Sequence, residues 1–242
     1  KNQNSFWHKH IVNFLVEFLY NKVDLVVAQS YGMQDDLIKY YKFVEDKIKV
    51  IHNPLNQEIE NNLKNNIFNY NNKQNYLLCI GRLEKQKAIH YAIRAFASIS
   101  SDYPLLRLKI VGKGSLESNL KRLAKELSVE DKVDFEGFQK NTISYYVNAR
   151  CTLLTSLYEG FPNVLIESIA LGTPVVSFDC KSGPNEIIKD GINGYLVAYL
   201  DPDDLINKLQ VTLNSQFNIS DMKDSIIQFN SDKIINKYEK LL

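Results

Sequence analysis

The sequence predicts an α/β fold: a parallel β-sheet covered by helices on both faces, together with a remnant of a second unit of the same kind. Three observations predict it. From about residue 76 onward, apolar strand-like runs alternate with helical patterns at the spacing of strand–helix–strand crossovers. A similar alternation before residue 54 has too few elements to close a domain, and it reads as the tail of one. Between the two, residues 54–75 are crowded with asparagine and poor in apolar residues, which reads as an exposed linker.

In chain order, residues 5–20 place apolar side chains at 7, 11, 14, 15 and 18, a helical spacing. DLVVAQS (24–30) is a short buried strand, Ser30 can cap a helix over YGMQDDLIKYY, and KIKVIHNP is a second strand. In the larger unit, YLLCIG (76–81), LRLKIVG (106–112), VDFEG (133–137) and CTLLTS (151–156) are strands. Helices follow them over roughly 87–100, 115–127 and 141–149. Gly160-Phe161-Pro162 then opens a helix from Asn163 to Leu171, Gly172-Thr173-Pro174 ends it, and VVSF is a buried strand.

With 45% hydrophobic residues the chain can build a sizeable core, and a net charge of +1 gives no footprint for nucleic acid. Cys79, Cys151 and Cys180 lie far apart in apolar runs, which reads as buried free thiols rather than a metal site. No run is long enough to span a bilayer, and KNQNSFW is no signal peptide. A chain that begins at Lys1 and enters a helix at once reads as a piece of a longer protein.

Ligands of parallel sheets bind beyond the carboxyl ends of the strands, and three distinctive turns lie there. In GRLEKQK, Arg82 and Lys87 bracket a turn, as an anion such as a diphosphate requires, although solvated surface charge has the same look. VGKGS (111–115) allows close backbone approach at Gly112, or is a plain tight turn. In SLYEGFPNVLIESIALGTPVV, the helix start near Pro162 aims free N–H groups at the cleft. Glu159 in the mouth of that turn would repel phosphate, so it needs a neutral partner such as sugar hydroxyls. Glu167, set among Val164, Leu165, Ile166, Ile169 and Ala170, fits poorly as a solvated acid and suits a hydroxyl pair such as a ribose offers. LDPDDLINKL (200–209) holds Asp-x-Asp, which a helix start explains, with Asp201 as N-cap and Pro202 at the first position.

The set formed by GRL-x-x-x-K, the Gly-rich turn and EGFPNVLIE followed by GTPVV resembles the retaining GT-B glycosyltransferases of family 4, whose Glu-x7-Glu signature is met by Glu159 and Glu167. The resemblance implies two Rossmann-like domains. Residues 1–53 would be the tail of the N-terminal acceptor-binding domain and 54–75 the linker. Residues 76–228 would be the nucleotide-sugar donor domain, and 229–242 a closing helix that crosses back. Arg82, Lys87 and Glu159 would form the catalytic set, the two cations on the donor diphosphate and Glu159 on the hexose. The backbone of Gly160, Phe161, Pro162, Asn163, Val164 and Leu165 would line the sugar and phosphates, beside Gly81 and Gly112. Glu167 would hold the ribose, with Gly137, Phe138 and Lys140 around the base.

The implied reaction uses a nucleotide-sugar co-substrate and neither a resident cofactor nor a metal. A departure at CKSGPNEII (180–188), where many relatives have two glycines, is shared with surface-polysaccharide transferases and points to a UDP-sugar and a saccharide or lipid-linked acceptor. Ala88 stands where a glycine commonly follows the lysine. His52 reads as a linker or structural residue. The implied setting is cytoplasmic, at the inner face of the cell membrane, and residues 6–10 could touch a lipid surface, although packing against the N-terminal domain explains them too. Most of the acceptor domain would precede Lys1, so the chain by itself is expected to be inactive. Two alternatives share the nucleotide grip: a sugar-nucleotide epimerase of the same architecture, and a non-catalytic nucleotide-sugar-binding subunit.

Overall fold

The computed structural model describes residues 15, 18, 19, 22–65, 68, 70 and 73–241. The helix expected over 5–20, and with it the lipid-facing reading of 6–10, lies outside the described residues apart from Leu15, Phe18 and Leu19, which are exposed. Among the described residues no helix is long and apolar enough to cross a membrane.

The smaller unit pairs β1 (Val26–Ala28) with β2 (Ile48–Val50) in parallel, Val26 opposite Ile48. Helix α1 (Tyr31–Tyr41) joins them. It starts where Ser30 Oγ accepts the Met33 N–H at 3.1 Å and stops at Lys42 in the left-handed conformation. Ala28, Phe43 and Ile48 form its small core.

Residues 57–64 correct the linker expectation, because Gln57–Lys64 is a helix, α2, capped by Asn56. Only one turn-facing residue, Ile59, is fully buried, and with Leu55 it joins the larger core, so the apolar signal is sparse but sufficient to dock the helix.

The larger unit is a six-stranded parallel sheet in the order β5-β4-β3-β6-β7-β8. Its strands are β3 (Tyr76–Ile80), β4 (Arg107–Val111), β5 (Val133–Gly137), β6 (Cys151–Leu154), β7 (Val175–Phe178) and β8 (Gly194–Val197). The period-two alternation of strands buried on both faces assigns side chains to two layers. Leu77, Cys79, Leu108, Ile110, Cys151, Leu153, Val176 and Phe178 face one layer, against α3 (His90–Ile99), α4 (Glu117–Glu126) and α8 (Pro202–Asn214). Tyr76, Leu78, Leu154 and Val175 face the other, against α5 (Ile143–Asn148), α6 (Asn163–Ala170) and α9 (Ile219–Ser225). All three cysteines are buried and unpaired, and burial pushes the Cys79 and Cys180 thiols up to about 12. Asp201 caps α8 by accepting from the N–H groups of Asp203 and Asp204.

The strand order reverses direction at β3, since β4 and β5 lie to one side and β6, β7 and β8 to the other. A crevice outside the carboxyl ends of β3 and β6 is therefore the topological switch point of the sheet. The short helix α7 (Pro184–Ile187) follows β7, with Gly183 before it close against Pro162, and the C-terminal helix α10 (Ser231–Glu239) is anchored by Ser231 N–H, which donates to Glu60 Oε1 at 2.7 Å. Tyr238 and Leu241 share a cavity with Val23, Leu25 and Val27.

Candidate functional site

Two turns that leave β3 and β4 lie one on the other. Gly81 N–H donates to Val111 O, Leu83 N–H to Lys113 O and Leu116 N–H to Leu83 O, each at 3.0 Å. Only glycine allows this approach at Gly112, where φ is +144° and a Cβ would stand 1.9 Å from the Gly81 carbonyl oxygen. Glu84 adds a side-chain clasp: it accepts from Ser115 N–H at 2.8 Å and from Ser115 Oγ at 2.7 Å, bonds that hold its carboxyl below the usual range. Within GRLEKQK, Glu84 thus builds the turn, while Arg82 stays exposed, its guanidinium 3.4 Å from Gln86 Oε1.

A third turn, after β6, is stitched to the same segment. Thr155 Oγ1 donates to the carbonyls of Lys87 and Ala88, Leu157 N–H to Gln86 O at 2.8 Å, and Gln86 Nε2 to Tyr158 O at 2.9 Å. Ala88 is left-handed at φ +44°, a conformation that explains why glycine would suit this position. The stitching brings Lys87 Nζ to Glu159 Oε1 at 2.6 Å. The two residues, 72 positions apart in the chain, form one ion pair at the switch point.

Helix α6 begins at Asn163, and its preceding residue, Pro162, supplies no side-chain cap. No side chain caps its first turn, where Asn163 N–H donates to Phe161 O at 3.1 Å and Leu165 N–H to Pro162 O at 3.0 Å. Phe161 and Leu165 point into the core, so in this segment they have only backbone to offer to a ligand. Glu167 lies one turn in and takes the Tyr146 hydroxyl on Oε2 at 2.9 Å. Burial raises its pKa, and the bond from Tyr146 opposes that rise only in part. The Tyr146 phenol is fully buried and itself pushed up by burial and by Glu167.

On the β4–β5 side the crevice opens into a cavity of about 330 Å³ lined by Gly81, Arg82, Gly112 and Phe138 among others. Phe138 is 70% exposed, an open ring face of the kind that stacks on a flat ligand. Gly137 turns the chain there at φ +68°. Lys140 is exposed and does not line the cavity, whereas Lys113, Gln139 and Thr142 do; the sequence reading did not assign them.

The smaller unit closes the crevice from the far side. Gln29 Oε1 and Met33 Cε lie 3.6 Å and 3.3 Å from where a Cβ on Gly160 would be. The seam is held by Glu186, which takes His52 Nε2 at 2.7 Å on one oxygen and the N–H groups of Tyr31 and Gly32 at 3.1 and 3.3 Å. Burial pushes the Glu186 pKa up, but these three donors outweigh it and the net shift is downward. His52 is thus a structural residue of the seam, packed against Phe161 and Phe229, and Asn53 Nδ2 donates to Asn163 Oδ1 at 3.0 Å beside it.

The family model described as glycosyl transferases group 1 matches residues 58–231. The chain belongs to that family. It is 34% identical over 212 residues to the N-acetylgalactosamine-N,N'-diacetylbacillosaminyl-diphospho-undecaprenol 4-alpha-N-acetylgalactosaminyltransferase of Campylobacter jejuni, covering 88% of this chain and 56% of that protein. It is 29% identical over 201 residues to the lipopolysaccharide 1,6-galactosyltransferase of Salmonella typhimurium, covering 80% and 53%. The chain therefore spans about half the length of these curated relatives. Among solved structures, the HepE protein of Anabaena in complex with UDP and glucose superposes with a TM-score of 0.79 at 20% identity, over 95% of this chain and 66% of that one. The lipopolysaccharide outer core galactosyltransferase WaaB gives 0.75 at 24% identity, over 90% and 61%. This group 1 glycosyltransferase chain accordingly has the GT-B type of α/β fold, as its sequence predicts.

Proposed function

We propose that the protein is a retaining glycosyltransferase of family 4 that moves a hexose or N-acetylhexosamine from a UDP-sugar to a glycan or lipid-linked acceptor in surface-polysaccharide synthesis. The observation behind this reading is the Lys87–Glu159 pair at the switch point, with Glu167 one helical turn beyond it. Lys87 and Arg82 would hold the donor diphosphate, and the N–H groups at the start of α6 would share the load. Glu159 would take hexose hydroxyls, Glu167 the ribose, and the cavity beside Phe138 the base. In the proposed step the acceptor oxygen attacks the anomeric carbon from the face the diphosphate leaves. The C–O bond to the diphosphate breaks, the departing phosphate oxygen takes the acceptor proton, and the cations meet the charge that develops on it. The scheme uses no resident cofactor or metal, and it takes place at the cytoplasmic face of the membrane.

The UDP assignment is supported by the SGP turn at 182–184 and by fold neighbours that were solved with UDP. The acceptor assignment is supported by relatives whose names carry undecaprenol-linked or lipopolysaccharide acceptors. Calorimetric titration of the chain with UDP, GDP and ADP tests the donor reading: UDP alone should bind, and Arg82→Ala should weaken it by about 1.5–3 kcal/mol, the scale of a charge-assisted hydrogen bond. Equal affinity in Arg82→Ala would remove that residue from the diphosphate site.

A further inference from the structure

The two residues assigned to diphosphate and sugar are bonded to each other, and the turns that carry them are fixed. The Thr155, Leu157 and Gln86 bonds fix the Lys87 segment, and Glu159 N–H donates to Lys181 O at 3.2 Å. The side chains of Lys87 and Glu159 are only 16% and 8% exposed, so solvent and salt screen them weakly. An anion that reaches Lys87 therefore meets the Glu159 charge at close range.

What relieves this repulsion depends on what hangs from the phosphate. A sugar on the terminal phosphate brings hydroxyl groups, which donate to the carboxylate and satisfy it. A free nucleoside diphosphate brings a bare terminal phosphate with more negative charge and only acceptor oxygens. On the diphosphate reading given above, we infer that Glu159 is a specificity-determining residue that makes the site disfavour the free nucleoside diphosphate relative to its glycosylated form. The same carboxylate that grips the donor sugar weakens retention of the nucleotide once the sugar has gone.

Glu159→Gln isolates the charge, because the amide oxygen can still accept from Lys87 while the negative charge is gone. Titration of the chain with UDP, GDP and ADP, and with UDP-glucose and UDP-N-acetylglucosamine, by calorimetry, in the native protein and in Glu159→Gln, reads the effect. Affinity for the free nucleotide should rise relative to that for its glycosylated form, and an unchanged ratio overturns the inference. The nucleotide that the native chain binds should bind about tenfold tighter to the variant, equivalent to about 1.4 kcal/mol. Glu159→Ala, as a second variant with its own check of folding by circular dichroism, should also bind it tighter. A native chain that binds a nucleotide with no gain in either variant overturns this inference alone. A native chain and both variants that all bind none of the three overturn the diphosphate reading with it.

Discussion

Glu167→Gln should leave the chain more stable at neutral pH. The carboxylate has a single hydrogen-bond partner among the described side chains, the Tyr146 hydroxyl at 2.9 Å, and burial outweighs that bond, so its pKa is raised. The charged form is thus held at a cost, as a buried carboxylate with incomplete compensation must be. Glutamine keeps the Tyr146 bond through its amide oxygen and removes the charge. The expected gain is about 0.5–2 kcal/mol, the usual size of a single stabilising substitution. A gain of 1 kcal/mol corresponds to roughly 2–4 °C in melting temperature for a chain of this size.

The pH dependence follows with a definite sign. An acid whose folded pKa is raised contributes stability that is fully present below its unfolded value, 4.5, and is lost as pH rises through the folded pKa. The advantage of Glu167→Gln should therefore be large at pH 7 and shrink toward pH 4.5. Urea denaturation at both pH values measures it. A variant less stable than the native chain at pH 7 would refute the reasoning, because it would mean that the carboxylate stabilises the fold.

Three other outcomes follow from the same geometry. Gly112→Ala should destabilise the chain by roughly 3 kcal/mol, since the new Cβ cannot coexist with the Gly81 carbonyl 1.9 Å away; thermal melting checks it. Glu186→Ala should cost roughly 2–4 kcal/mol by stripping His52, Tyr31 and Gly32 of their shared acceptor, and hydrogen exchange should speed up at the Tyr31 and Gly32 amides. The three thiols should resist a disulfide reagent at pH 8 in the folded chain and all react in urea. Their raised pKa values add stability that is present below the ordinary value of 9.0 and is lost as pH rises toward 12.

Much of the site was legible because it rests on local chemistry. A glycine and a proline before an apolar helix announce the start of α6, and Glu167 is out of place among aliphatic neighbours unless something buries it for a purpose. The parallel sheet was legible from apolar runs, with the exception of β8, whose four residues GYLV follow a Gly–Asn-rich turn and carry little signal of their own. What the sequence hides is partnership over distance. Nothing near Tyr146 marks it as the donor to Glu167, 21 residues on, and nothing near His52 points to Glu186, 134 residues away. The Lys87–Glu159 bond is hidden in the same way: each residue was assigned to the ligand, and the fold pairs them across two turns. Composition also misled at 57–64, where a helix rich in asparagine docks through Ile59.

The most direct test of the central claim is a crystal structure of the chain soaked with UDP. The account predicts ribose hydroxyls within hydrogen-bond distance of Glu167, the base beside Phe138 in the cavity of about 330 Å³, and the diphosphate against Arg82, Lys87 and the start of α6. UDP bound elsewhere, or bound at the crevice with its ribose away from Glu167, would contradict it.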